Sequence, residues 1–404
     1  MTVAAPRHDF LQGRAAAGEA VFASVKVFTE PRDAIDVWRA LAPEVCGSFY
    51  QSENFLLAWL ECCGGQQKVE PFFIVARDAL GAPLALLPFG LFRFGPLRVA
   101  QFLGGKHSNA NLGLFRAGAA FSARDLRLLL REAARERNGP HLYRLLNLPL
   151  VWRGAANPLV LLPHRPAANS GYATKLGPDG EAWLAGRLST PTRKKLRKKE
   201  KRLAGRGALR YFRAENTAQA ADILDAFFLQ KRVRFAGFGE GGAAATRAFF
   251  AALTDFRASG APPALELHAL SLDGRLIATF AAGLHGGRLQ GLFNSYDADP
   301  DIARSSPGEI LLSHVLRDAC ARKIACFDLG LGDARYKTTF CDEIEAMADA
   351  LFAPRLAGLL AQPFFAAGLA AKTAIKRNPR VWGLVKQWRR RAARGQNGRG
   401  IASG

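Results

Sequence analysis

Short apolar bursts separated by polar turns run along the first half of the chain, and the second half repeats them in the same order. Residues 25–28, 72–77 and 83–91 have the apolar content of strands, the last two joined by the turn Asp78-Ala79-Leu80-Gly81. Residues 99–103 and 112–115 are further strands flanking a polar loop that contains Lys106, His107 and Asn109. Helices are expected over 33–42 and 52–62, the second presenting Phe55, Leu56 and Trp59 at helical spacing. Ser122 caps a helix reaching about residue 137, and a strand over 141–147 follows.

In the second half, residues 265–272 and 276–284 form a hairpin around Asp273-Gly274, followed by a strand over 289–296. Ser306-Pro307-Gly308-Glu309 has the form of a Ser-x-x-Glu capping box with proline at the first helical position. Ile310, Leu311, Val315, Leu316 and Ala319 then recur at helical spacing, and a strand over 324–329 follows. Helices over 217–235 and 246–258, separated by glycine-rich 237–242, precede this hairpin. The two turn glycines, 81 and 274, stand 193 residues apart, and the caps Ser122 and Ser306 stand 184 apart. A shared order at nearly constant offset predicts a duplicated α/β unit.

The expected fold class is therefore α/β (α+β), a tandem pair of mixed-sheet domains with flanking helices. The expected organisation is a poorly ordered lead-in over 1–25, an N-terminal domain over 26–160 and a Pro- and Gly-rich linker over 161–188. A C-terminal domain over 189–350, carrying a basic helix over 191–206, and an apolar then basic tail over 351–404 complete it.

Hydrophobic residues make up 49% of the 404, with 22% charged, which excludes a disordered chain. The six cysteines, at 46, 62, 63, 320, 326 and 341, form no Cys-x-x-Cys pair, so neither a metal site nor a disulfide framework is expected, and a reducing compartment fits. The chain shows no basic start followed by an apolar run, so no secretory signal and a cytoplasmic location are expected. The nearest approach to a membrane span, 356–371, is interrupted by Gln362-Pro363. The net charge of +22 is concentrated: residues 187–206 carry +9, residues 372–404 carry +10, and the remainder only +3. Leu188, just before the helix over 191–206, and Leu196 and Leu203 on it form a thin apolar seam. The cations beside it are either a solvated face or a dock for an anionic partner. The basic tail with Trp382 and Trp388 suits an anionic membrane surface at the inner face of the membrane, or is simply unstructured.

The ordered set Tyr296, Ser306-Pro307-Gly308, Phe327-Asp328, Gly332 and Tyr336-Lys337 resembles the acyl-CoA N-acyltransferase (GNAT) superfamily. Within it, the set is similar to the CelD-like branch, named after cellulose-biosynthesis proteins and related to the Fem peptidyltransferases. The resemblance covers roughly residues 45–350. It implies two GNAT-like domains and an acyltransferase, most simply an acetyltransferase, that uses acetyl-CoA or another acyl-CoA and no metal. The implied acceptor is an amine or hydroxyl of a small molecule, sugar or glycan precursor. By resemblance, Ser305, Ser306 and Gly308 hold the donor's diphosphate at a helix start, where backbone N–H groups and the helix dipole favour an anion. Tyr336 protonates the leaving thiolate, Asp328 or Asp333 orients or deprotonates the acceptor, and Lys337 binds an anionic group. The superfamily's pyrophosphate signature, Arg or Gln-x-x-Gly-x-Gly or Ala, is absent, because Arg304 is followed by Ser-Ser-Pro-Gly-Glu, and Glu309 places a negative charge where a phosphate would lie.

Plainer readings stand beside these roles: Asp328 as a turn cap, Tyr336 as a core aromatic, Lys337 as a surface charge, His314 paired locally with Asp318. His107 is a candidate for lining the acceptor cleft. Gly-x-Ser-x-Gly, His-Glu-x-x-His and P-loop patterns are missing, which removes support for those hydrolase, zinc-protease and nucleotide-hydrolysing classes. Two other functions remain open. One is a Fem-like transfer from charged tRNA, with the basic helix as its tRNA arm. The other is a non-enzymatic protein holding nucleic acid or membrane, against which the basic segments offer few aromatics for base stacking, so DNA is not expected as a partner.

Overall fold

The structure, a computed structural model, describes residues 20–42, 47–136, 138–234, 242–256, 262–378, 381 and 383. Of the expected lead-in over 1–25, residues 1–19 lie outside the described residues, as do 237–241 of the glycine-rich break and most of the basic tail, whereas residues 20–25 are ordered, with Phe22 buried and β1 starting at Ser24.

The first half runs β1 (Ser24–Phe28), α1 (Pro31–Leu41), α2 (Glu53–Trp59), β2 (Glu70–Arg77) and β3 (Pro83–Phe94). It continues with β4 (Leu97–Phe102), β5 (Leu114–Phe115), α3 (Ala123–Ala134) and β6 (Leu142–Pro149). A small hairpin, β7 (Val151–Trp152) and β8 (Ala155–Ala156), leads to β9 (His164–Pro166), β10 (Gly171–Lys175), α4 (Gly180–Arg187) and α5 (Thr190–Ala204). The second half contains β11 (Leu209–Arg213), α6 (Thr217–Arg234), α7 (Ala243–Leu253), β12 (Leu265–Leu272), β13 (Arg275–His285) and β14 (Arg288–Tyr296). After it come α8 (Pro300–Ala303), α9 (Pro307–Ala321), β15 (Cys326–Leu331) and α10 (Arg335–Phe340). The last elements are β16 (Glu343–Glu345), β17 (Met347–Phe352) and α11 (Leu356–Arg377).

These strands form two mixed sheets of matching order. The first is β1-β2-β3-β4-β6-β17-β9, with β5 added on β3, and the second is β11-β12-β13-β14-β15-β10-β16. Each opens with antiparallel pairs, has one parallel pair (β4 with β6, β14 with β15), and ends antiparallel. The parallel pairs exist because a crossover helix, α3 or α9, lies between their strands. The architecture is α+β.

The two sheets exchange strands, which corrects the boundaries read from the sequence. Residues 161–188 are not a linker: β9 joins the first sheet, and β10 fills the place between β15 and β16 in the second. Conversely β17, at the end of the expected C-terminal domain, inserts between β6 and β9 of the first sheet. Gly171 is needed in β10, since a Cβ there would lie 2.9 Å from Met347 and 3.0 Å from Glu345. One continuous apolar cluster joins the halves, with Phe55 and Trp59 of the first packed among Phe249, Phe250 and Leu265 of the second. The Phe49 N–H donates to Gln290 Oε1 (2.7 Å) and Tyr50 Oη donates to the Gly291 carbonyl (3.1 Å), fixing the first half directly on β14.

Two further corrections concern helices. Ser122 and Asp125 make a full capping box on α3, whereas Ser306 does not cap α9. Ser306 sits at φ 51°, a left-handed conformation, which turns its side chain away from the first turn and toward α5. The second correction is α11, which is continuous through Gln362-Pro363 rather than broken there. Pro363 is exposed, so the backbone bond it removes lies on the outward side of the helix.

Candidate active site

Strands β14 and β15 pair only from Arg288–Gln290 against Cys326–Asp328. Beyond Gln290 they no longer pair, and cavities lie on either side of the gap. One, of about 230 Å³, opens at the start of α9 and is lined by Tyr296, Ser306, Gly308 and Glu309. The other, of about 550 Å³, combines Lys106, His107 and Asn109 of the first half with Phe227, Phe228, Phe250 and Phe293 of the second. Phe280, Asn294 and Tyr336 line both. The two halves also meet across a separate cavity, between Leu150, Arg153 and Gly154 of the first and Gly286, Gly287 and Arg288 of the second, but Tyr336 and the α9 start do not line it.

Arg335 lines the first cavity, and cations of α5 hold the helix start beside it. Leu188, Leu196 and Leu203 are buried, so α5 packs by its thin apolar seam and its cations are left outside or turned onto α9. Lys199 Nζ donates to Ser306 Oγ (2.8 Å) and to Glu309 Oε2 (2.7 Å). Arg202 Nε donates to Ser305 Oγ (2.8 Å), and its Nη2 to the Arg304 carbonyl. The charge of Glu309 is thus compensated by Lys199. Gly308 has ordinary space above it, since a Cβ there would meet only Tyr296, at 3.7 Å.

At the junction, Asn294 Nδ2 donates to Tyr336 Oη (3.0 Å). Burial, chiefly, raises the Tyr336 pKa, so the phenol keeps its proton at neutral pH. With its oxygen accepting from Asn294, the Tyr336 O–H is free to donate into the gap. Lys337 is buried behind it, where Nζ donates to the carbonyls of Leu331 (2.6 Å) and Gly330 (3.1 Å). Burial pushes its pKa down to about 8. His107 accepts from Trp59 Nε1 at Nδ1 (3.1 Å), and burial lowers its pKa to about 4. The neutral ring therefore carries its proton on Nε2, facing Thr246 at 3.5 Å, and acts as a donor rather than a base.

The residues expected to act together are only partly assembled. Ser306, Gly308, Tyr336 and Lys337 line the passage; Ser305, Asp328 and Asp333 do not. Ser305 is buried beneath Arg202. Asp328 is no acceptor base: Oδ2 accepts from Arg288 Nη2 (2.8 Å) and Nε (3.0 Å), and Oδ1 accepts from the Gly330 N–H (2.6 Å). Arg288 also donates twice to Glu345 and lies 4.0 Å over the Trp152 ring, so this buried group braces β14, β15 and β16. Asp333 is exposed and accepts from Tyr172 Oη (2.6 Å). His314 pairs with Glu200 of α5 (2.7 Å) instead of Asp318, which bonds Arg322. Sequence reading missed Asn294 and Arg335 as residues lining the site, and Lys199 and Arg202 as the groups that hold the helix start beside it. The one signal for Asn294 was a polar residue beside Phe293 in an apolar strand.

Residues 191–338 match the family model described as "Acetyltransferase (GNAT) domain". This segment is therefore a GNAT-type acyltransferase domain, and such a domain implies an acyl donor. No curated protein matches the chain. Among solved structures, FemX superposes with a TM-score of 0.57 at 10% identity, over 83% of this chain and 99% of FemX. A conserved protein of unknown function from Bacteroides thetaiotaomicron gives a TM-score of 0.50 at 14% identity, over 81% and 100%. A tandem GNAT protein from the clavulanic acid biosynthesis pathway gives 0.45 at 11%, over 82% and 99%. At these identities the likeness to FemX and the Bacteroides protein is one of fold alone.

Proposed function

We propose that the protein transfers an acyl group from an acyl-CoA, acetyl-CoA being the first to test, to an amine or hydroxyl of a small-molecule or sugar acceptor. The observation that carries this reading is the α9 start. There an uncapped helix end, an open glycine and Arg335 face a cavity that leads past a protonated tyrosine into a second cavity. Helix-start N–H groups and a cation together suit a diphosphate, and Lys199 offsets the Glu309 carboxylate that would otherwise repel it.

The donor, when bound, supplies the activated thioester. The chain's own part is to hold it and to manage one proton. Gly308 and Arg335 bind the anionic end, the stretch of β14 beyond Gln290 that no longer pairs with β15 faces the arm, and Tyr336 gives its proton to the departing thiolate, the proton that the acceptor loses on attack restoring the phenol. The second cavity, with aromatic walls and Lys106, His107 and Asn109 at one side, receives the acceptor.

The test is a thermal shift with acetyl-CoA and longer acyl-CoAs on the native chain and on Gly308→Glu. A ligand at about 100 times its Kd adds roughly 2.7 kcal/mol of apparent stability. A shift in the native chain that Gly308→Glu abolishes supports the assignment; no shift with any acyl-CoA refutes it. A second reading, transfer from charged tRNA, is favoured by one observation: Lys194, Lys195, Lys198 and Lys201 stand exposed on α5 beside the same helix start. Stabilisation by charged tRNA with indifference to acyl-CoA would select it.

A further inference from the structure

Helix α11 has a one-sided structure that acyl transfer does not explain. From residue 356 to 371 every exposed position is apolar, and Leu356, Leu359, Leu360 and Phe364 are 72%, 54%, 68% and 79% exposed. The opposite side is strapped to the first sheet. Gly358 lies so close to the His141 carbonyl that a Cβ there would overlap it at 1.7 Å, Leu369 is buried, and the Phe365 ring packs on Phe94 at 5.5 Å. Arg165 Nη1 donates to the Ala366 carbonyl (2.7 Å), and Lys376 Nζ to Asn169 (2.7 Å). The helix has the length and composition of a membrane span, yet crossing a bilayer would break all of these contacts.

Charge changes sign of purpose at the end of this face. Lys372 and Arg377 are exposed where the apolar stretch stops, and residues 372–404 hold ten Lys or Arg with no acid. An apolar helix face beside a wholly cationic segment matches an anionic lipid surface: the side chains enter the acyl boundary and the cations meet the headgroups. A second copy of the chain is a poorer match. Sixteen helical residues span about 24 Å, so a face about 10 Å wide covers about 240 Å², well below the roughly 800 Å² per partner of a stable interface.

We propose that α11 lies in the plane of an anionic bilayer surface, holding the first sheet against the membrane without crossing it. The test is co-sedimentation of the full chain with phosphatidylcholine vesicles, with and without phosphatidylglycerol, at low and high salt. The double variant Leu360→Glu/Phe364→Glu alters only exposed positions, and an unchanged melting temperature verifies its fold. The expected result is binding to the anionic vesicles that drops roughly tenfold or more in the variant, in neutral vesicles and in high salt, with release by alkaline carbonate. Equal binding by variant and native chain, or no binding to anionic vesicles, overturns the proposal. So does retention through alkaline carbonate, which marks a span, or a concentration-dependent dimer lost in the variant without vesicle binding, which makes the occupant a second copy.

Discussion

Tyr336 and Asn294 form the smallest unit on which the proposed chemistry depends. Because Asn294 donates to the phenol oxygen, the phenol's own hydrogen remains for the leaving group. Tyr336→Phe is expected to lower kcat by roughly 10²–10³-fold while the acyl-CoA thermal shift persists; steady-state rates beside that shift check it. His107 gives a pH signature. Its folded pKa, about 4, lies below its ordinary 6.5, so between these values the unfolded chain binds a proton that the folded chain refuses. Stability is expected to fall as pH drops through that window, and the fall to shrink in His107→Gln, measured by urea unfolding. At this scale the sequence was legible where a role depends on near neighbours, as with Gly308 at a helix start. It misled for Asp328 because the partner that saturates it, Arg288, stands forty residues earlier. Ser306 misled because its cap pattern is contested by Lys199, more than a hundred residues away.

Among the elements, the Arg288–Asp328–Glu345 brace has the largest expected energetic weight. It ties three strands at the root of the gap, and both arginine and aspartate are about 6% exposed at their side chains. Arg288→Met leaves the buried Asp328 and half-buried Glu345 carboxylates without their partner, at an expected cost of about 3–5 kcal/mol read from urea unfolding. The hairpins at Gly81 and Gly274 and the capped α3 were readable because turn and cap chemistry is local. Strand β10 was not. Its five residues sit in a Pro- and Gly-rich stretch, and their strand character comes from β15 and β16 on either side. Pro363 likewise suggested a break that tertiary contacts along the inner side of α11 override.

For the whole molecule, the exchange of β10 and β17 means that neither half is a separable piece. The fragment 189–350, the natural cut from the sequence, lacks β10 and so leaves β15 and β16 without their common partner. It is expected to show no cooperative melt by calorimetry, and a cooperative melt would mean that the exchange is dispensable. The same threading governs the order of events on the ribosome. Once residue 166 has emerged the first sheet can form through β6, while β9, whose only partner is β17, has nothing to pair with. The roughly 180 residues up to Met347 require about 10–40 s at about 5–20 residues per second. Throughout that interval β6 presents a bare edge, open to any other strand that arrives first. The nascent chain must therefore keep that edge vacant until β17 is translated, a demand that falls on holding chaperones rather than on the finished fold.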